Sequence, residues 1–266
     1  LVVSDMDGTL LDGDGNIPSQ LWPLLETMRD RAIAFVPASG RQCTTLSTMF
    51  GSHLQGMPII AENGTYVVRD GVDISSSTID PNLTREVITG VRQLRNDGHD
   101  VGLVVATKSI AYLERGDDPF VSHVATYYHS HGIVKDLSEH TDDVIKLSIY
   151  DFREASEATY PTMQRTAPEH QVILATPNWV DIMNPGVNKG SAVEAVQRDL
   201  GVTADQTAIF GDFLNDLEMM PMAKWSFAMA NGHPDIVKAS KYIAPPNTER
   251  GVITVLAALL GVNVPA

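Results

Sequence analysis

The sequence predicts an α/β fold, a mainly parallel sheet with an α+β module inserted into it. Three observations predict this. Short apolar runs without polar alternation, such as Leu1-Val2-Val3, Ile33 to Ala38 and Thr207 to Phe210, alternate with helical stretches at both ends of the chain. Strands covered on both faces read in that way. Several of these runs end in a polar cluster, and ligands of open parallel sheets bind outside the carboxyl ends of the strands. Between about residues 81 and 185 helices and hairpins occur together, and the parallel pattern then resumes. We therefore expect a core of residues 1–80 plus 186–266 and an inserted domain of 81–185.

The elements follow from the residues in order. Leu1 to Val3 is a β-branched strand closed by the turn at Gly8. A helix is predicted over 19–31, with Ser19 as N-cap, Pro23 in the first turn and Leu21, Leu24, Leu25 and Met28 inward. Residues 33–38 form a second strand, ahead of Ser39-Gly40-Arg41 and a helix to about Phe50. Residues 57–61 form a third, followed by Glu62-Asn63-Gly64 and a hairpin at Asp70-Gly71. Asp80-Pro81 starts a helix with Leu83, Val87, Val91 and Leu94 as its stripe. The insertion continues with strands at 101–106 and 109–114, a helix at 120–129, a strand at 144–150, a helix at 154–166, and strands at 172–175 and 179–183. The core resumes with a helix from Asn188 to Leu200, a strand at 207–210, a helix at 214–222 and a strand at 225–229. A short helix after Pro234, a strand at 242–243 and an apolar helix at 251–260 complete it.

Bulk properties bound the function. A formal charge of −14 over 266 residues, with no Lys/Arg run, argues against nucleic acid and anionic membranes as partners. Cys43 is the single cysteine, which excludes an internal disulfide and a thiolate zinc site and fits a cytoplasmic location. No apolar stretch reaches membrane-spanning length and no signal peptide is visible, but the chain opens inside a strand without an initiator Met, so a few residues are expected to precede Leu1.

The opening stretch carries the chemistry. Asp5 and Asp7 alternate along a strand that Gly8 ends, so both carboxylates are expected to start on one side. Such a pair needs a cation or a shared proton, and suits a nucleophile with a general acid/base beside a metal. Calcium is the competing reading for the nearby Asp12-Gly13-Asp14-Gly15-Asn16. An EF-hand counted from Asp12 puts Ile17 at the glycine position and Pro23 at the glutamate position, so that stretch is a solvated turn. Three further clusters follow: Ser39-Gly40-Arg41, Asn188-Lys189-Gly190, and Asp212 with Asn215 and Asp216. Each alone has a plain alternative: helix caps for Ser39 and Asp212, a surface lysine for Lys189.

Taken together, these clusters resemble the haloacid dehalogenase (HAD) superfamily over nearly the whole chain. Asp5-Met6-Asp7-Gly8-Thr9-Leu10 is similar to its first motif, Ser39 to the second, Lys189 to the third and Gly211-Asp212-Phe213-Leu214-Asn215-Asp216 to the fourth. The insertion resembles the type C2B cap of the Cof-like, type IIB sugar phosphatases, and the tail Asn231-Gly232-His233-Pro234 and Asn247 to Val252 resembles the same branch. It departs at Ala230, where Gly is expected, and at Gly232, where Ala is expected, which concerns local loop shape.

The resemblance implies a Rossmann-like core and a Mg²⁺-dependent phosphatase acting on small phosphomonoesters, sugar phosphates or phosphorylated cofactors. It implies Asp5 as nucleophile, Asp7 as general acid and base, and Ser39 and Lys189 as phosphoryl-holding catalytic residues. It further implies Gly8, Thr9, Gly40 and Asn215 around the phosphate. Mg²⁺ would be held by Asp5, the Asp7 carbonyl and Asp212, with Asp216 touching the metal or its water. A cap of this kind is expected to exclude water and add specificity contacts. A phosphomannomutase-like phosphomutase and a non-catalytic ligand-binding protein are the alternatives.

Other features have plainer readings. Arg41 is open to two, a phosphate contact or a bracing salt bridge. Asn63-Gly64 is expected to be only a turn, Cys43 a buried inert thiol, His129 and His131 solvated, and Trp179 and Met183 core residues of the insertion.

Overall fold

The computed structural model describes residues 1–263. β1 spans Val2–Asp5, α1 Leu21–Asp30, β2 Phe35–Ala38, α2 Cys43–Phe50, β3 Ile59–Ala61, β4 Tyr66–Arg69 and β5 Val72–Ser76. Then come α3 (Pro81–Asn96), β6 (Val101–Thr107), β7 (Ala111–Leu113), α4 (Asp118–Tyr127), β8 (His131–Ile133), β9 (Val144–Asp151), α5 (Thr159–Thr166), β10 (Gln171–Leu174) and β11 (Trp179–Met183). The chain closes with α6 (Lys189–Leu200), β12 (Ala208–Gly211), β13 (Trp225–Met229), α7 (Pro234–Ala239), β14 (Tyr242–Ala244) and α8 (Gly251–Leu260).

Several elements differ from expectation. β1 runs on to Asp5. α1 begins at Leu21, because Pro18 to Gln20 already form a turn, and Ser19 is not its cap. α2 begins at Cys43, so Ser39 caps no helix. α5 begins only at Thr159, since the Ala155 N–H is spent on the Pro177 carbonyl. The helix expected over 214–222 is two single turns, Leu214–Asp216 and Met220–Met222, because Pro221 brings no N–H to a continuous ladder. β8 was not foreseen; three residues are too few for a readable pattern.

Contacts divide the chain into two compact units. The first comprises Leu1–Gly40, Leu46–Ser75 and the chain from Asn188 on. Its sheet has the order β14-β13-β12-β1-β2-β3-β4-β5. The pairings from β14 to β3 are parallel, and β4 joins antiparallel to β3. Val3, Val36, Ile60 and Ile209 pack with Val193 and Val196 of α6. α1 and α8 pack together through their buried apolar residues. The register pairs Asp5 with Ala38 and Ser4 with Phe210, so the carboxyl ends of β2, β1 and β12 stand side by side.

The second unit comprises Arg41–Thr45 and Ser76–Val187. Its six-stranded sheet has the order β10-β11-β9-β6-β7-β8 and is antiparallel except between β7 and β8. Leu147, Ile149, Val180 and Ile182 pack on one face against α3 and α5. On the other face Tyr150 and Trp179 join Phe120 and Val124 of α4. Alternation along β9 and β11 also buries Lys146, Ser148 and Asp181, and the Ser148 hydroxyl donates to Asp181 Oδ1 at 2.6 Å. Trp179 and Met183 are buried core residues, as expected.

Phe120 is wholly buried in this second core. Phe120→Ala is expected to cost about 3–5 kcal/mol, read as a lowered midpoint in denaturant unfolding.

Candidate active site

Asp5 is the last residue of β1 and is 5% exposed. A single π-type turn, Met6–Leu10, follows, with Asp7 at φ −79° and ψ 117° and Gly8 at φ +83°. The turn breaks the strand alternation, so Asp5 and Asp7 do not share a strand face: Asp5 is buried and Asp7 exposed. Gly8 is required twice, by its positive φ and by closeness to Asp212, whose Oδ2 lies 2.4 Å from where a Cβ would stand. Thr9 donates its hydroxyl to Asp212 Oδ1 at 2.8 Å.

Asp212 follows β12, and Asp216 closes the next turn. Asp216 Oδ2 accepts from the backbone N–H groups of Asp212 (2.9 Å) and Phe213 (3.2 Å). Its Oδ1 accepts from Lys189 Nζ at 2.7 Å, and the same ammonium donates to Asp5 Oδ1 at 2.5 Å. Lys189 is the first residue of α6 and is held there by a capping box in which the Asn188 side chain accepts from the Ser191 N–H and the Ser191 hydroxyl accepts from the Asn188 N–H. Both Lys189 and Asp216 are fully buried.

Asp5, Asp212 and Asp216 each bring a carboxylate oxygen within 4.8 Å of the others. Burial raises the Asp5 carboxyl well above the usual range, and Asp216 and Asp212 add repulsion that Lys189 only partly offsets. Burial also raises Asp212, to about 6, with Asp216 adding repulsion against the Thr9 hydrogen bond and Lys189. For Lys189, burial works against its charge, but Asp216 and Asp5 prevail and hold its pKa above the ordinary value. One ammonium thus faces three carboxylates. An all-oxygen donor set with surplus negative charge fits a hard divalent cation.

The remaining motif residues are placed as follows. Ser39 is buried after β2, its N–H donating to the Ile60 carbonyl and its carbonyl accepting from the Asn63 N–H. Gly40 lies against the Asn63 side chain. Asn215, expected beside a phosphate, donates its amide to Asn63 Oδ1 at 3.1 Å. Asn63-Gly64 is therefore more than the turn the sequence suggested. Arg41 donates to the Thr126 carbonyl at 3.3 Å and lies over the Tyr127 ring, a bracing contact within the second unit. Cys43 is half-buried, not buried. His129 is exposed, and His131 Nδ1 lies 2.8 Å from the Tyr128 carbonyl.

Sequence reasoning missed the amides that brace the first motif. Asn231 donates to the Gly8 carbonyl at 2.8 Å, and Asn247 to the Leu11 carbonyl at 2.9 Å. The Asn247 N–H in turn donates to Asn231 Oδ1 at 3.1 Å. The tail motif containing both residues was the available signal. The departure at Gly232 also has a local reason: a Cβ there would stand 2.8 Å from the Met229 carbonyl oxygen and 3.0 Å from that of Asp212.

Comparison with known proteins bears on this geometry. A sequence model of the haloacid dehalogenase-like hydrolases matches residues 2–256. The chain belongs to this family. It is an enzyme, a hydrolase. It is 29% identical over 267 residues to the 5-amino-6-(5-phospho-D-ribitylamino)uracil phosphatase YbjI of Escherichia coli, covering 98% of this chain and 96% of that protein. It is 23% identical to the HMP-PP phosphatase of Cronobacter sakazakii, covering 88% and 85%. Among solved structures, a haloacid dehalogenase-like hydrolase from Bacteroides thetaiotaomicron superimposes with a TM-score of 0.86 at 22% identity, covering 97% of this chain and 98% of that one. A HAD subclass IIB sugar phosphatase superimposes with a TM-score of 0.79 at 20% identity, covering 97% and 98%. The fold is that of the HAD hydrolases, and the Cof-like branch suggested by the sequence is the one these comparisons support.

Removing Lys189 leaves buried carboxylates uncompensated. In the presence of chelator, Lys189→Met is expected to cost roughly 3–5 kcal/mol at neutral pH in urea unfolding. Without the ammonium, the folded-state pKa of Asp5 rises further above its unfolded value. Its contribution is therefore retained in acid and lost as pH rises through the folded pKa, so the deficit shrinks on acidification.

Proposed function

We propose that the protein is a Mg²⁺-dependent phosphatase that hydrolyses small phosphomonoesters, sugar phosphates or phosphorylated cofactors, through an aspartyl-phosphate on Asp5. The observation that carries this reading is the buried Lys189 ammonium hydrogen-bonded to both Asp5 and Asp216. It orients one carboxylate oxygen of Asp5 and leaves a site of net negative charge that calls for a cation. The names of the phosphatase relatives support small phosphorylated compounds as substrates, and that of the Escherichia coli relative supports a phosphomonoester.

Asp5 Oδ attacks phosphorus, and the bond from phosphorus to the ester oxygen breaks. Asp7 gives its proton to the departing oxygen, so the alcohol leaves neutral. Asp7, now a carboxylate, takes a proton from water, and the hydroxyl attacks the same phosphorus. The Asp5–phosphorus bond breaks, releasing inorganic phosphate and restoring Asp5. The exposure of Asp7 suits a group that must meet both an alcohol and a water. Ser39 and the backbone N–H groups after Asp7 hold phosphoryl oxygens, and Lys189 steadies the negative charge. Mg²⁺, held by Asp5, Asp212 and the Asp7 carbonyl, with Asp216 at the metal or its water, would supply charge neutralisation of the phosphoryl oxygens.

Phosphate release from a panel of sugar and cofactor phosphomonoesters tests this. Release that needs Mg²⁺, stops with chelator and disappears in Asp5→Asn is expected. A folded, metal-loaded protein that releases nothing from any ester overturns the reading. Separately, Mg²⁺ is expected to raise the melting temperature of the wild type, since a ligand at 100 times its Kd adds about 2.7 kcal/mol. Asp212→Asn should abolish most of that shift; an unchanged shift would place the ion elsewhere.

A further inference from the structure

The turn Glu62–Gly64 after β3 belongs to none of the four catalytic clusters, yet it touches three of them. Asn63 donates its backbone N–H to the Ser39 carbonyl at 3.0 Å. Its side-chain Oδ1 accepts from Asn215 Nδ2 at 3.1 Å. Gly64, at φ +97°, lies so close to the start of α6 that a Cβ would stand 2.4 Å from the Asn188 carbonyl oxygen. The second, third and fourth clusters therefore meet on this one turn.

The backbone of Asn63 is left-handed, at φ +57° and ψ +28°. Asparagine tolerates that region better than most residues, and glycine better still. A residue needed only for the turn could be glycine. The side chain is instead buried, 8% exposed, and spans from the Gly40 backbone to Asn215. Asn215 sits one residue before Asp216, whose two carboxylate oxygens are taken by Lys189 and by the Asp212 and Phe213 N–H groups. A shift of the 214–216 turn would carry Asp216 with it and disturb its bond to Lys189.

We propose that Asn63 is a positioning residue for phosphoryl transfer: its side chain fixes the spacing between the Ser39 loop and the Asn215-Asp216 turn. It acts through Asn215 and touches neither substrate nor metal. The inference rests on the phosphatase reading above.

The test uses Asn63→Gly, Asn63→Ala, Asn215→Ala and the double variant Asn63→Gly/Asn215→Ala, each with melting temperature, kcat and KM on the best phosphomonoester of the panel. Asn63→Gly keeps the left-handed turn and removes only the side chain. We expect it to melt near the wild type while kcat falls at least about tenfold and KM changes less. Asn63→Ala should lose the same activity but melt lower, because alanine resists the left-handed conformation. If Asn63→Ala fails to fold, the glycine variant still decides. Asn215→Ala should lower kcat similarly, and the double variant should fall no further, since residues acting through one contact are non-additive.

Wild-type kcat in Asn63→Gly, an unaffected Asn215→Ala, or a double variant whose loss is the product of the single losses would each overturn the proposal. A wild-type protein that releases no phosphate from any ester sinks the phosphatase reading itself, and this inference with it.

Discussion

Three carboxylates crowded at and just beyond the ends of two neighbouring strands, Asp5 and Asp216 buried and Asp212 half-buried, are the constraint on which the site depends. Asp5 and Asp212 are brought together by the pairing of β1 with β12, and Asp216 by the turn that follows. Buried negative charges crowded in this way are costly unless cations offset them. Lys189 supplies one such charge from the start of α6, which explains why that helix must begin where it does and carry a capping box. Glycines and small residues around the cluster serve the same end, since Gly8 lets the first turn lie against Asp212.

The same constraint links stability to function. An ammonium bonded to Asp5 and to Asp216 holds both in place in advance, so the reaction proposed for Asp5 would need little reorganisation. The groups around it are themselves held. Thr9 and the His233 N–H reach Asp212, at its carboxylate and its carbonyl respectively. Asn231 holds the Gly8 carbonyl, and Asn63 ties the Ser39 loop to Asn215. These contacts span residues far apart in the chain, so the site forms only when the sheet of the first unit is complete.

What was legible in the sequence follows from what is local. Continuous apolar strands announce themselves, and so does a motif whose residues sit side by side, such as Asp5 to Leu10. The side-by-side placement of strand ends could be anticipated because parallel α/β sheets gather their ligand groups there. Other features were not readable. That Asp5 and Asp7 part company depends on one π-type turn. The 214–222 stretch has helical composition, yet Pro221 and the use of Asp216 as a backbone acceptor break it into turns. The parts played by Asn63, Asn231 and Asn247 arise from contacts across the fold, and an asparagine beside a glycine reads locally as a turn and nothing more.

In the proposed reaction Asp5 becomes covalently phosphorylated. The most direct measurement is rapid acid quench of Asp7→Asn, in which loss of the base should slow water attack, mixed with a radiolabelled phosphomonoester of a good leaving alcohol and Mg²⁺. Protein-bound, hydroxylamine-labile phosphate approaching one per chain, mapping to the peptide that contains Asp5, is the expected result. Label on any other residue, or a burst of free phosphate with none bound to protein at any time, would contradict it.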